Sequence, residues 1–133
     1  MHARQTLSLA DARRLIDGAR HEADARSLGV SIAVTDEAGT LIALERLDTA
    51  RYHTPTVATA KARTAAIART PTKVLQAQLK DHPAYATFPD RVPIEGGIPI
   101  IHDNEVVGAI GVSGGTTAED TAICEAAIAH FTE

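Results

Sequence analysis

The sequence is poor in cysteine, aromatic rings and basic charge. Among its 133 residues there is one cysteine, Cys124, and no tryptophan. A single cysteine excludes a disulfide within the chain and a cysteine-based zinc site. Two tyrosines and two phenylalanines make up only 3% of the residues. That leaves little material for a deep cavity walled by rings. Acids outnumber Lys and Arg by 17 to 13, a formal net charge of −4. The broad basic field used to bind nucleic acid or an anionic membrane surface is therefore missing. No apolar run approaches the ~18 residues of a membrane span. Met1 to Ala12 is polar and charged throughout, unlike the apolar stretch of a signal peptide. These absences point to a soluble, cytoplasmic protein.

The remaining composition is that of an ordinary globular chain, 44% hydrophobic and 23% charged. Its length suits a single domain spanning residues 1–133, large enough to fold without a metal or disulfide staple. Thr6 to Leu28 reads as a helix. Ser8 and Asp11 have capping-box spacing, Ala12, Leu15, Ile16, Ala19 and Ala23 recur at helical spacing, and Gly29 supplies a stop. Val30 to Thr35 alternates as a half-buried strand, Asp36 to Gly39 is a turn, and Thr40 to Arg46 is the return strand. Thr54-Pro55 predicts a cap followed by an alanine-rich helix to about Arg69, and a short helix follows over Thr72 to Lys80. His82 to Glu95, with Pro83, Pro89 and Pro93, reads as a long irregular loop. Gly97 to His102 and Val106 to Ser113 form a second hairpin around Asp103-Asn104. Thr117 with Asp120 has capping-box spacing for a last helix ending near Phe131. The order α-β-β-α-α-β-β-α predicts an α+β fold, an antiparallel sheet flanked by helices.

Several groups of residues could carry chemistry. The turn Ser113-Gly114-Gly115 leads from a strand into a helix, where glycines allow close backbone approach and free N–H groups favour an anion. Glu119 and Asp120 compete for that role, since they already place acid in the first helical turn. Gly96 and Gly97 likewise allow a close approach at the start of the third strand, beside Glu95, a candidate acid or base. Arg46 ends the second strand. Lys61 lies among small residues, Thr59-Ala60-Lys61-Ala62. It either points inward to hold an anion or belongs, with Arg63 and Arg69, to a charged face with a solvated head. None of the six histidines falls into a zinc-binding pair, so no metal site is expected. A single imidazole is enough to ligate heme iron, and His53, in a polar loop, is the best placed, with Tyr52 and Tyr85 as further iron-ligand candidates. Gly111-Val112-Ser113-Gly114-Gly115 matches a nucleophile-elbow string, but a hairpin strand is the wrong setting for it. Cys124, among small helix residues, reads as a buried inert thiol.

Taken in order, certain short runs carry a family resemblance across nearly the whole chain. They are Val34-Thr35-Asp36 with Gly39 and Leu41, Arg46-Leu47-Asp48, Lys61-Ala62-Arg63-Thr64-Ala65, Pro71-Thr72, Gly96-Gly97-Ile98-Pro99-Ile100, and Gly108 to Gly115 with Asp120 after it. The sequence resembles the GlcG/HbpS-like family, also found as the C-terminal domain of PduO-type proteins. It departs at Thr49, where members often have Gly after the Arg-x-Asp, and in the segment Pro83 to Pro93, which does not align with members residue by residue. The resemblance implies a profilin-like fold, homo-oligomers of two or more subunits, and heme as a cofactor in some members. The leading expectation is a small-ligand-binding protein with an anion-holding pocket at a subunit interface, heme being the candidate ligand. In it Arg46 and Lys61 hold carboxylates, Gly96, Gly97, Ser113, Gly114 and Gly115 line the pocket, and His53 meets the iron. The alternative is a metal-independent isomerase or tautomerase acting on a small carboxylate or keto acid. There Lys61 or Arg46 holds the carboxylate and Glu95 or Asp36 moves the proton.

Overall fold

The computed structural model describes every residue from Met1 to Glu133. The first helix, α1 (Leu9–Ala25), is closed by the expected capping box: Ser8 Oγ accepts from the Asp11 N–H at 3.1 Å, and Asp11 Oδ2 accepts from the Ser8 N–H at 2.8 Å. It starts three residues later than the Thr6 expected from periodicity. The reason is Leu7, which is buried and donates its N–H to Val107 O at 2.9 Å, so the chain is still extended there.

The strands β1 (Ser31–Asp36), β2 (Leu41–Arg46), β3 (Gly97–His102) and β4 (Glu105–Ser113) form one antiparallel sheet in the order β2-β1-β4-β3. Alternation divides their side chains between two faces. Ile32, Val34, Ile110 and Val112 face α1 and the last helix, α4 (Thr117–Phe131), and join Leu15, Ile16 and Ile123 in the main core. On the other face Ala33 meets Ala58 and Ala62 of α2 (Thr54–Ala68). This helix lies very close to the sheet: a Cβ at Gly111 would come within 2.2 Å of Ala58 O. Its many alanines permit that approach, because larger side chains would hold it away. A short helix, α3 (Thr72–Gln78), packs beside β3. The element order agrees with the α+β expectation, with one addition. Inside the long loop, Pro83–Thr87 forms a 3₁₀ turn.

Two caps differ from the sequence reading. Thr54 does not cap α2; His53 occupies that position without a side-chain capping bond. Thr54 is turned inward instead, donating to Arg51 O at 2.6 Å and pairing with Ser31 Oγ at 2.9 Å. At α4 the capping box is Thr116 with Glu119, not Thr117 with Asp120. Thr116 Oγ1 accepts from the Glu119 N–H at 3.2 Å, and Glu119 Oε1 from the Thr116 N–H at 2.9 Å. The one-residue shift leaves Asp120 free of the cap and lets it point inward. Replacing Thr116 with alanine should lower stability by about 1 kcal/mol, measured by urea denaturation. The backbone N–H of Thr116 holds the Glu119 carboxyl below its ordinary value of 4.5. A lowered folded-state value means that its stabilisation is present above that range and is lost as pH falls through it.

Candidate functional site

Lys61 sits in the middle of α2, on the side that faces the sheet, and only 2% of it is exposed. A buried ammonium requires compensation. Its Nζ donates to Asp120 Oδ2 and to Val112 O, each at 3.0 Å. Asp120, equally buried, also accepts from the Gly115 N–H through Oδ1 at 2.9 Å. Helix α2, strand β4, the glycine turn and helix α4 thus meet at one ion pair. Burial pushes the Asp120 carboxyl above the usual carboxylate range, while the hydrogen bond and charge of Lys61 act in the opposite direction.

The glycines expected to line a pocket gather around this pair. Gly96 has φ +127°, and a Cβ there would lie 2.7 Å from Lys61 Nζ and 2.9 Å from Val112 O. A Cβ at Gly97 would lie 2.4 Å from Lys61 O, and its N–H donates to Thr72 Oγ1 at 2.8 Å. Gly114 turns the chain back against Gly29 and Val30. The N–H groups of Gly115 and Thr116, which the sequence offered to an external anion, already serve Asp120 and Glu119. Cys124 lies alongside and donates from Sγ to Gly96 O at 3.3 Å. Burial first, and the neighbouring Asp120 charge second, push its thiol well above its ordinary range, in keeping with an inert group.

Arg46 belongs to the same end of the sheet but stands outside this knot. It is paired in register with Ser31, and Ser31 with Ser113, so these three side chains share the face covered by α2. Two strand spacings put Arg46 about 10 Å from Ser113. Ser113 and Ser31 are buried, whereas Arg46 is exposed and its guanidinium lies 5.6 Å from the Tyr52 ring centroid. His53 follows immediately, exposed, at the start of α2.

The two proton-transfer candidates are placed apart. Glu95 is half-buried next to Gly96, and its N–H donates to Gln76 Oε1 at 2.7 Å. Asp36 ends β1 five positions from Ser31, roughly 17 Å along the strand. Its Oδ1 accepts from the N–H groups of Ala38 and Thr40, each at 2.9 Å, and so shapes the β1–β2 turn. Sequence reasoning missed Asp120 as the partner of Lys61 and the buried hydroxyl pair of Ser31 and Thr54. Thr54 could have been suspected, since a hydroxyl beside a proline at a helix start is also able to bond across to a strand.

The fold and this arrangement define a class: a small α+β domain whose antiparallel sheet is pinned, at one end, by a buried lysine–aspartate pair among glycines. The family model described as "Haem degrading protein HbpS-like" matches residues 7–129, and the chain belongs to that family. It is 37% identical to protein GlcG of Escherichia coli over 114 residues, 85% of each chain. The solved HbpS of Streptomyces reticuli, a double mutant, superposes with a TM-score of 0.92 at 28% identity, covering 97% of this chain and 89% of that one. The structure of a PduOC:heme complex superposes with a TM-score of 0.86 at 26% identity, covering 94% of both. No helix is long and apolar enough to cross a membrane.

Proposed function

We propose that this chain binds heme, or a flat carboxylate-bearing molecule of the same kind, in an assembly of like subunits. The observation that carries the reading is Arg46, a guanidinium left exposed and without an acidic partner at the end of the sheet where the glycines gather. Lys61 cannot take the same part, because Asp120 already answers its charge. The likeness to a protein solved with heme supports the choice of ligand class.

The residues at this end fit such a group in kind. Arg46 offers a planar fork of donors for a carboxylate, and His53 offers a nitrogen with no capping bond to lose. Heme, when bound, supplies an iron centre able to take a further ligand. The chain's own part is to fix the acid groups through Arg46 and to present His53. Arg46, Tyr52 and His53 are all exposed in the single chain. A second subunit would be needed to cover a ligand held there, which favours an interface site and a homo-oligomer.

Titration of the purified protein with hemin, followed at the Soret band, tests the reading. A saturable shift is expected. Arg46→Ala should weaken the affinity about tenfold, as for the loss of one charge-assisted contact. His53→Ala should move the position of the bound Soret band. Native mass spectrometry should show the ligand on an oligomer. Absence of a saturable shift in the wild-type protein would remove the heme reading.

A further inference from the structure

The two edges of the sheet are finished differently. A strand edge presents unpaired N–H and C=O groups, which recruit other strands unless something blocks them. At β3 they are blocked. Gly97 exchanges hydrogen bonds with Thr72 Oγ1, its N–H donating at 2.8 Å and its carbonyl accepting at 3.3 Å. Two residues on, Pro99 has no N–H to offer. At β2 nothing plays this part. Leu47 donates its N–H to Val30 O at 3.0 Å, so by antiparallel alternation Glu45 and Ala43 bond to β1, while the backbone groups of Leu44 and Arg46 face outward. No other segment's backbone bonds to them. The strand contains no proline, and it leaves Leu41 and Leu44 44% and 37% exposed.

The pattern of β2 selects its partner. Residues directly opposite in an antiparallel pair share a face of the sheet. Two copies of β2 related by a two-fold axis therefore meet with one residue on that axis. With Leu44 there, its outward N–H and carbonyl bond to those of its copy, and Arg46 falls opposite Ile42. With Glu45 there, two like charges oppose each other. With Ala43 there, Arg46 runs past the start of the facing strand, and its outward groups find no partner. The Leu44 register also keeps the charges clear, because Glu45 stays beside Arg20 of its own chain, at 3.6 Å, and faces the small Ala43. An unrelated extended peptide would gain the backbone bonds without this side-chain match. Beside the strand, α2 leaves a groove of about 410 Å³ bounded by Leu44, Pro55, Thr56, Thr59, Ala60 and Arg63. A ladder over residues 42–46 falls short of the roughly 800 Å² that each partner gives to a stable dimer, so the groove walls share in the contact.

We infer that β2 is the edge through which the chain binds a second copy of itself, the two strands pairing antiparallel about Leu44 and continuing the sheet across the axis. The inference goes beyond the proposed ligand and does not rest on it. The pairing sets the Arg46 of each copy on the same face, about 14 Å apart on either side of the axis, so that each is flanked by the other copy. Self-association is measured on the whole protein with no ligand added. Leu44→Cys puts a thiol on the axis, with Cα atoms about 5.5 Å apart, within reach of a disulfide. Oxidation with copper-phenanthroline should then trap a species of twice the chain mass. Thr40→Cys, about 27 Å from its copy, should not be trapped. Cys124 is buried and does not compete. Leu44→Pro removes an outward N–H and no bond to β1, and should weaken association about tenfold or more by sedimentation, with circular dichroism unchanged. Should that variant not fold, the two cysteine variants decide. A monomeric wild type at micromolar concentration would overturn the edge, as would equal trapping of both cysteine variants, or full association in folded Leu44→Pro. Hemin taken up by a monomer would overturn the edge alone. Trapping of Leu44→Cys without hemin uptake by the wild type would keep the edge and remove the ligand reading.

Discussion

Replacing Lys61 with methionine is expected to destabilise the protein by about 3–5 kcal/mol, read from urea denaturation at neutral pH. The argument does not depend on what the ion pair contributes as a whole. Asp120 is 2% exposed, and without the ammonium it keeps only the Gly115 N–H as a donor. A carboxylate stranded in that way costs far more than an exposed one. Its protonation relieves part of the cost, so the variant should regain stability as the pH is lowered toward the carboxylate range. The sign follows from linkage: burial already raises the Asp120 value in the folded protein, and removing Lys61 raises it further. The folded state then binds more protons than the unfolded chain in the interval between the two values, and stability falls as pH rises across it. Replacing both partners, as Lys61→Met with Asp120→Leu, should be milder than either single change, since no unpaired charge remains. The same variant separates structure from ligand contact. If Lys61 serves only the ion pair, folded Lys61→Met retains its hemin affinity, whereas Arg46→Ala weakens it about tenfold.

That lysine also illustrates how far a linear reading reaches. The element order was legible because it depends on local signals: periodicity in α1 and alternation in β1 and β4. Caps were legible to within one residue, and the error at α4 had a consequence. With Thr117 as the cap, Asp120 belongs to the helix end; with Thr116 as the cap, Asp120 turns toward Lys61. Grouping Lys61 with Arg63 was avoidable, because at 3.6 residues per turn the two point about 200° apart. Lys61 instead falls on the stripe of Ala58, Ala62 and Ala65, all buried. Its partner was beyond local reasoning, since the contact joins residues 59 positions apart through the packing of three elements. The glycines were legible as places of close approach. What approaches them is mostly backbone and the ion pair of the chain itself, so Arg46 rather than the glycine turn is left to meet a ligand.

The second large effect concerns Gly111. Alanine there is expected to cost about 3 kcal/mol, near the upper part of the range for an added methyl in a packed interior. Gly111 has no unusual backbone angle, so the cost is purely one of space. The new Cβ would stand 2.2 Å from Ala58 O and 2.6 Å from Ala62 N, both backbone atoms of α2, and no side-chain rotation can relieve them. Only displacement of the whole helix can, and α2 is anchored at three points. Thr54 is bonded to Ser31, Lys61 to Asp120 and Val112, and Arg63 to Gly39 O and to Asp90. Shifting the helix outward therefore strains the buried pair along with the alanine contact. Gly115→Ala provides the contrast. Its Cβ would meet Glu119 Cβ at 3.0 Å, Glu119 Oε1 at 3.2 Å and Asp120 Oδ1 at 3.3 Å, side-chain contacts that shifts of a few tenths of an ångström relieve, and a cost of about 1 kcal/mol is expected. Equal losses in the two variants would mean that α2 yields freely, and the close seating of helix on sheet would then not be what holds Lys61 in place.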